Sequence, residues 1–126
     1  MATRVLVVDD NPDSLVITRG ILEPKGYEVV EATSGPQALE LVVQQPPDLI
    51  LLDVMMPGMS GLEVLQQLKE NYETARIPVI LVTAKTADED VVQGYQYGAD
   101  YYITKPFTGT QLLYGIELVL GRENPE

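Results

Sequence analysis

Histidine, cysteine and tryptophan are absent from the 126 residues, and phenylalanine occurs once. Without cysteine there is no disulfide framework, no thiolate metal site and no thiol nucleophile; without histidine the commonest general base and metal ligand is missing too. Hard oxygen chemistry is what remains. Basic residues are also scarce, 8 against 19 acidic ones, for a formal charge of −11. Phosphate backbones are gripped mainly by Lys and Arg, so this balance argues against direct nucleic-acid binding. The acidity serves either solubility or an acidic face that meets a basic partner. No run approaches the roughly 20 apolar residues of a membrane span, and no cleavage-like segment follows the short apolar run after Arg4. The chain therefore reads as soluble and cytoplasmic, with no membrane partner.

What is present is one domain's worth of alternating patterns, large enough to bury roughly two-thirds of the surface its unfolded form exposes. Apolar, strand-like runs occur at Arg4–Asp9, Tyr27–Glu31, Leu49–Asp53, Val79–Thr83 and Tyr101–Thr104. Helical patterns lie between them. Asn11-Pro12 combines a capping side chain with a proline whose missing N–H costs nothing at a helix start, and Leu15, Ile17, Ile21 and Leu22 supply an apolar stripe up to Lys25-Gly26. A second helix follows Ser34-Gly35-Pro36 and stops at Pro46-Pro47; the others are expected at about Ser60–Tyr72, Asp88–Tyr97 and Thr108–Leu120. Strands alternating with helices predict an α/β fold whose parallel sheet is covered on both faces, and right-handed crossovers favour a doubly wound, flavodoxin-like sheet with strand order 2-1-3-4-5. Residues 1–121 are read as this domain and 122–126 as a short tail or the start of a linker.

In such a sheet every strand ends on one edge, and ligands bind there, at the switch in winding direction between the first and third strands. The first strand delivers Asp9 and Asp10 to that edge, the third Asp53, the fourth Thr83, and the fifth runs into Lys105. Singly these residues have ordinary explanations: an Asp can cap a helix, a Thr can be a β-former, and a Lys before proline can be a solvated loop residue. Together, at the ends of otherwise apolar strands, they make a site. Neighbouring carboxylates repel and raise one another's pKa unless a cation sits among them. With oxygen ligands alone Mg²⁺ is favoured, because it takes one or two carboxylates and keeps positions open for a phosphoryl oxygen. Lys105 can neutralise a second phosphoryl oxygen, the Thr83 hydroxyl can bond a third, and Asp53 at the centre is left as nucleophile.

The segments VLVVDDNP, LILLDVMMPGMSGLE, VILVTA and GADYYITKPF resemble the receiver domain of bacterial two-component response regulators over essentially the whole chain. The resemblance implies that Asp53 accepts a phosphoryl group from a histidine kinase, a phosphotransfer protein or a small phosphodonor. It also implies that Asp10, Asp53 and the Met55 carbonyl bind Mg²⁺ with Asp9 assisting, that Thr83 and Lys105 hold the phosphoryl oxygens, and that Lys105-Pro106 is a cis peptide. Tyr102 matches the family's switch aromatic: Thr83 moving toward the phosphoryl group lets Tyr102 turn inward and alters the face of the fourth helix, fifth strand and fifth helix. That face would meet a downstream effector or, with phosphorylation, a second copy of the chain. Met55 and Lys85, two positions beyond Asp53 and Thr83, would influence phosphoryl lifetime. The chain would act as a phosphoacceptor rather than as an enzyme.

Tyrosines gather toward the end of the chain, at Tyr95, Tyr97, Tyr101, Tyr102 and Tyr114, where they suit either an interface or the helix–strand seams. Pro57, Gly58 and Gly61 are expected to shape the loop after Asp53. Three other functions share parts of the pattern. A haloacid dehalogenase-like phosphatase uses similar residues, but its Asp-x-Asp would need an acid where Asn11 stands. A phosphorylation-independent binding module would not need the Asp53 carboxylate, and a flavin carrier would find Asp9-Asp10 a poor lip for its phosphate.

Overall fold

The computed structural model describes residues 2–84 and 94–121. Five parallel strands, β1 (Arg4–Val8), β2 (Glu28–Ala32), β3 (Leu49–Asp53), β4 (Val79–Thr83) and β5 (Tyr101–Thr104), form one sheet in the order β2-β1-β3-β4-β5. The helices are α1 (Pro12–Leu22), α2 (Gly35–Gln44), α3 (Gly61–Glu70), residues 94–96 (α4) and α5 (Gly109–Leu120). Most of the expected fourth helix, and Lys85, lie outside the described residues, as does the expected tail at 122–126. The third, fourth and fifth strands have the bounds expected from sequence, while β1 stops one residue earlier and β2 is displaced by one.

Helix starts follow local chemistry. Asn11 Oδ1 accepts from the N–H groups of Asp13 and Ser14, and Ser60 with Glu63 and Thr108 with Gln111 close reciprocal capping boxes. At their ends, Gly26 (φ 92°) turns the chain after the 3-10 turn that extends α1, and Gly121 (φ 68°) closes α5; both occupy the left-handed region that glycine enters freely.

Alternation along the strands sorts side chains onto two faces. Val5, Val7, Leu49, Leu51, Ile80, Val82 and Ile103 pack with Leu15 and Leu22 of α1 and Leu112 and Ile116 of α5. Leu6, Val8, Ile50, Leu52, Val79 and Leu81 pack with Ala38 and Val42 of α2 and Val64, Leu65 and Leu68 of α3. Every residue of β3 and β4 is buried, as expected for central strands covered on both faces. One detail of the α1 stripe differs from the sequence expectation. Ile17 is 59% exposed, and Thr18 takes the buried position between Leu15 and Leu22, because a spacing of three to four residues from Leu15 leads to Thr18. Core position and residue polarity part company here.

Candidate functional site

The same alternation carries past the strand ends. Asp9 lies two residues beyond Val7, Asp53 two beyond Leu51 and Lys105 two beyond Ile103, which puts all three on the α1/α5 side of the sheet. The order β1-β3 makes Asp9 and Asp53 neighbours, and Lys105 reaches both. Its Nζ lies 2.8 Å from Asp9 Oδ2 and 3.3 Å from Asp53 Oδ2. The Lys105 backbone N–H donates to the Thr83 carbonyl at 2.9 Å, and the Lys105-Pro106 bond is cis, as the resemblance implies. The remaining oxygens are held by backbone: Asp9 Oδ1 accepts from Asn11 N–H at 2.9 Å and Asp53 Oδ1 from Met55 N–H at 3.0 Å.

Asp9 and Asp53 are buried whereas Asp10 is exposed, yet one carboxylate oxygen from each of the three lies within 4.8 Å of the others. Three carboxylates face one ammonium. Burial pushes the Asp53 pKa up, and the Asp9 charge adds to it; the Met55 N–H and the Lys105 charge act the other way without cancelling the rise. For Lys105, burial opposes the ammonium, but the hydrogen bond to Asp9 and the charges of Asp53 and Asp9 outweigh it and hold the pKa above the ordinary lysine value. Burial dominates the shift of Asp53, whereas the shift of Lys105 reports the negative charge gathered around it. A hard divalent cation fits such a donor set, since it removes the repulsion that one ammonium leaves uncompensated.

Thr83 is fully buried at the end of β4, opposite Thr104. It falls two residues beyond Leu81, on the α2/α3 side, and Tyr102, half-buried and registered against Leu81, packs in that same cluster. Met55 is 54% exposed in the loop after Asp53. The structure thus brings Asp9, Asp10, Asp53 and Lys105 into one cluster, with Thr83 on the adjoining strand and Tyr102 behind it.

Two contributors were not legible as such. The sequence identifies Asn11 only as a cap, but its N–H also fixes Asp9. The sequence suggests turn chemistry for Gly61, but its role is close packing: a Cβ there would lie 2.1 Å from the Asp53 carbonyl oxygen and 2.8 Å from Val54 Cα, while the Gly61 N–H donates to the Val54 carbonyl at 2.9 Å. A glycine at the first helical position after a serine cap, where ordinary residues serve equally well, was the available signal.

Comparison with known proteins places this geometry. The family model for the response regulator receiver domain matches residues 5–117. The phosphate regulon transcriptional regulatory protein PhoB of Pseudomonas aeruginosa is 43% identical over 121 residues, which cover 96% of this chain and 53% of that protein. The chain thus spans about half the length of this curated relative. Among solved structures, the signal receiver domain of a signal transduction histidine kinase from Syntrophus aciditrophicus is 35% identical with a TM-score of 0.88, covering 99% of this chain and 96% of that one. The chemotaxis protein CheY4 of Vibrio cholerae is 30% identical with a TM-score of 0.90, covering 94% and 99%. With the strand order, the acidic cluster and the family match in agreement, the chain belongs to the response regulator receiver domains of two-component signalling.

Proposed function

We propose that the chain takes a phosphoryl group onto Asp53 with the help of Mg²⁺ and that the adduct changes a partner-binding face. The observation that carries this reading is Lys105 Nζ lying between Asp9 and Asp53 within a three-carboxylate cluster at the sheet edge. Asp9, Asp10, Asp53 and the Met55 carbonyl would hold the cation, which, when bound, cancels charge that would repel an incoming phosphate. A carboxylate oxygen of Asp53 attacks phosphorus as the bond from phosphorus to the donor's leaving atom breaks, giving an aspartyl phosphate and the freed donor. Lys105 turns its ammonium toward a phosphoryl oxygen, a move favoured because the esterified Asp53 no longer carries its full charge. The Thr83 hydroxyl donates to another phosphoryl oxygen.

Donors on this reading are the phosphohistidine of a kinase or phosphotransfer protein and small acyl phosphates. The switch is a two-state packing equilibrium biased by the Thr83 contact. Its support is the shared sheet face of Thr83 and Tyr102: a shift of Thr83 toward the edge loosens the space next to Tyr102, and the surface of α4, β5 and α5 changes with it. An effector, or a second copy of the chain, reads that surface.

Incubation with Mg²⁺ and acetyl phosphate followed by intact mass is the decisive measurement. The expected result is a single, base-labile phosphoryl adduct that Asp53→Asn abolishes. Multiple turnover of a phosphate ester would favour a hydrolase, and an adduct that survives in Asp53→Asn would move the acceptor elsewhere. Phosphoryl lifetime is expected to change in Met55→Asn while phosphorylation persists; unchanged decay in a radiolabel chase removes Met55 from the account.

A further inference from the structure

Three of the four methionines, Met55, Met56 and Met59, stand close together in the loop that follows Asp53; the fourth, Met1, lies outside the described residues. The fold treats the three side chains differently. Met56 is 8% exposed and belongs to the core cluster on the α2/α3 side. Met59 is partly buried against that cluster, so near the start of α2 that a Cβ on Gly35 would lie 2.9 Å from its Sδ, and that sulfur accepts from Gln67 Nε2 at 4.0 Å. Met55 is open to solvent, at 54% exposure. Methionine oxidation follows access, so Met55 is the sulfur that an oxidant reaches first.

Position makes that exposure consequential. The Met55 N–H donates to Asp53 Oδ1 at 3.0 Å, so the side chain springs from backbone tied directly to the central carboxylate. Oxidation there costs the fold little, because the group is already in water, whereas the same change at Met56 would put a polar oxygen into the core. Charge selects the oxidant. A chain of formal charge −11 with three carboxylates gathered beside Met55 repels anionic oxidants such as hypochlorite, and a neutral hydroperoxide meets no such barrier.

We propose that Met55 is a reversible oxidation site for hydroperoxides and that its sulfoxide shortens the life of an aspartyl phosphate at Asp53; the second half rests on the phosphoacceptor reading. In the oxidation the sulfur lone pair attacks one peroxide oxygen as the O–O bond breaks. Sulfur gives up two electrons and becomes the sulfoxide, while the other oxygen leaves as water after taking up the proton of the transferred one. A thioether is a weak acceptor, but the polar sulfoxide oxygen accepts strongly from water. A water held there is placed to attack phosphorus as the bond to the Asp53 oxygen breaks, which restores the carboxylate and releases inorganic phosphate with the water's protons.

The full chain is treated with limiting hydrogen peroxide, and fragment-ion mass spectra separate oxygen uptake at Met55 from uptake at Met56 and Met59. Met55 should be oxidised first, and the chain oxidised there should keep the Tm of the untreated one. Phosphorylated with acetyl phosphate and followed in a radiolabel chase, it should lose its phosphoryl group about fivefold faster, the worth of one ordinary hydrogen bond gained in the transition state. Methionine sulfoxide reductases A and B should restore the original rate. In Met55→Leu, which has no sulfur at that position, peroxide should leave the variant's own decay rate where it was. Oxidation of Met56 or Met59 ahead of Met55, equal decay before and after peroxide, or a peroxide response that persists in Met55→Leu would each overturn the proposal. The two readings fail separately. No adduct on the untreated chain removes the phosphoacceptor reading and this consequence with it, whereas an adduct whose decay ignores Met55 oxidation removes this inference alone.

Discussion

Asp53 carries the tension of the site. Its carboxylate sits among buried aliphatic residues at the end of a fully buried strand, and burial raises its pKa despite the Lys105 ammonium. An acid whose folded-state pKa is raised binds protons more readily folded than unfolded. Between the unfolded and folded values the unfolded chain has already released a proton that the folded one still holds, so stability falls as pH rises through the folded pKa. Asp53→Asn removes that liability while keeping the shape, and Lys105 retains Asp9 at 2.8 Å. In chelated buffer at neutral pH the variant is expected to melt higher than the wild type; about 1 kcal/mol corresponds to roughly 4 °C for a domain of this size. The gap should shrink as the pH is lowered through the Asp53 titration. Calorimetry across pH checks both; a variant that melts lower throughout would show that the Lys105–Asp53 pair outweighs the burial of the charge.

At the level of the elements, the start of α3 decides how accurately Asp53 is held. Ser60 caps the helix and closes a box with Glu63, so Ser60→Ala should cost about 1 kcal/mol, read as a lower urea midpoint with an unchanged m-value. Gly61→Ala is of another kind. Its Cβ would meet the Asp53 carbonyl oxygen at 2.1 Å, backbone that cannot step aside as a side chain would, so the cost should reach or exceed the roughly 1–3 kcal/mol of an overpacked core and disturb the Asp53 carboxylate as well. A Gly61→Ala chain as stable as Ser60→Ala would contradict this account. The contrast also shows which features the sequence could reveal. Alternation and capping chemistry are local, so they placed β3, β4 and β5, the Asn11 cap, the helix starts near Ser34, Ser60 and Thr108, and the residues of the carboxylate edge. Close approaches made across an irregular loop carry no periodic pattern, even at separations of six to eight residues. Gly61 against Asp53 belongs to that class, and so does Lys69, whose Nζ donates to the carbonyls of Ala75 and Ile77 at 2.9 and 3.0 Å. The exposure of Ile17 has a related origin: hydrophobicity alone puts Ile17 in the stripe, and helix geometry puts Thr18 there instead.

On the scale of the whole molecule, the site exists only when the sheet is complete. Lys105 meets Asp9 across 96 residues of sequence and Asp53 across 52, and the winding order that sets β1 beside β3 is what turns separate acids into one cluster. A ligand bound by that cluster binds the native state and not the unfolded chain. Its binding free energy therefore appears as stability, about 2.7 kcal/mol at a hundred times Kd, which for this size is roughly a 10 °C rise in Tm. Mg²⁺ is expected to produce such a concentration-dependent rise in the wild type at constant ionic strength. Asp10→Ala should remove much of it, even though Asp10 is exposed, because its carboxylate lies within 4.8 Å of those of Asp9 and Asp53. Asp13→Ala is the control, another exposed acid, in the first turn of α1, that does not belong to the cluster. If the two variants respond to Mg²⁺ as the wild type does, the stabilisation comes from diffuse screening of a chain with charge −11, and Asp10 is not a ligand. If Asp10→Ala alone loses the response, the cation sits at the edge where β1 and β3 end, and folding and metal binding are one equilibrium.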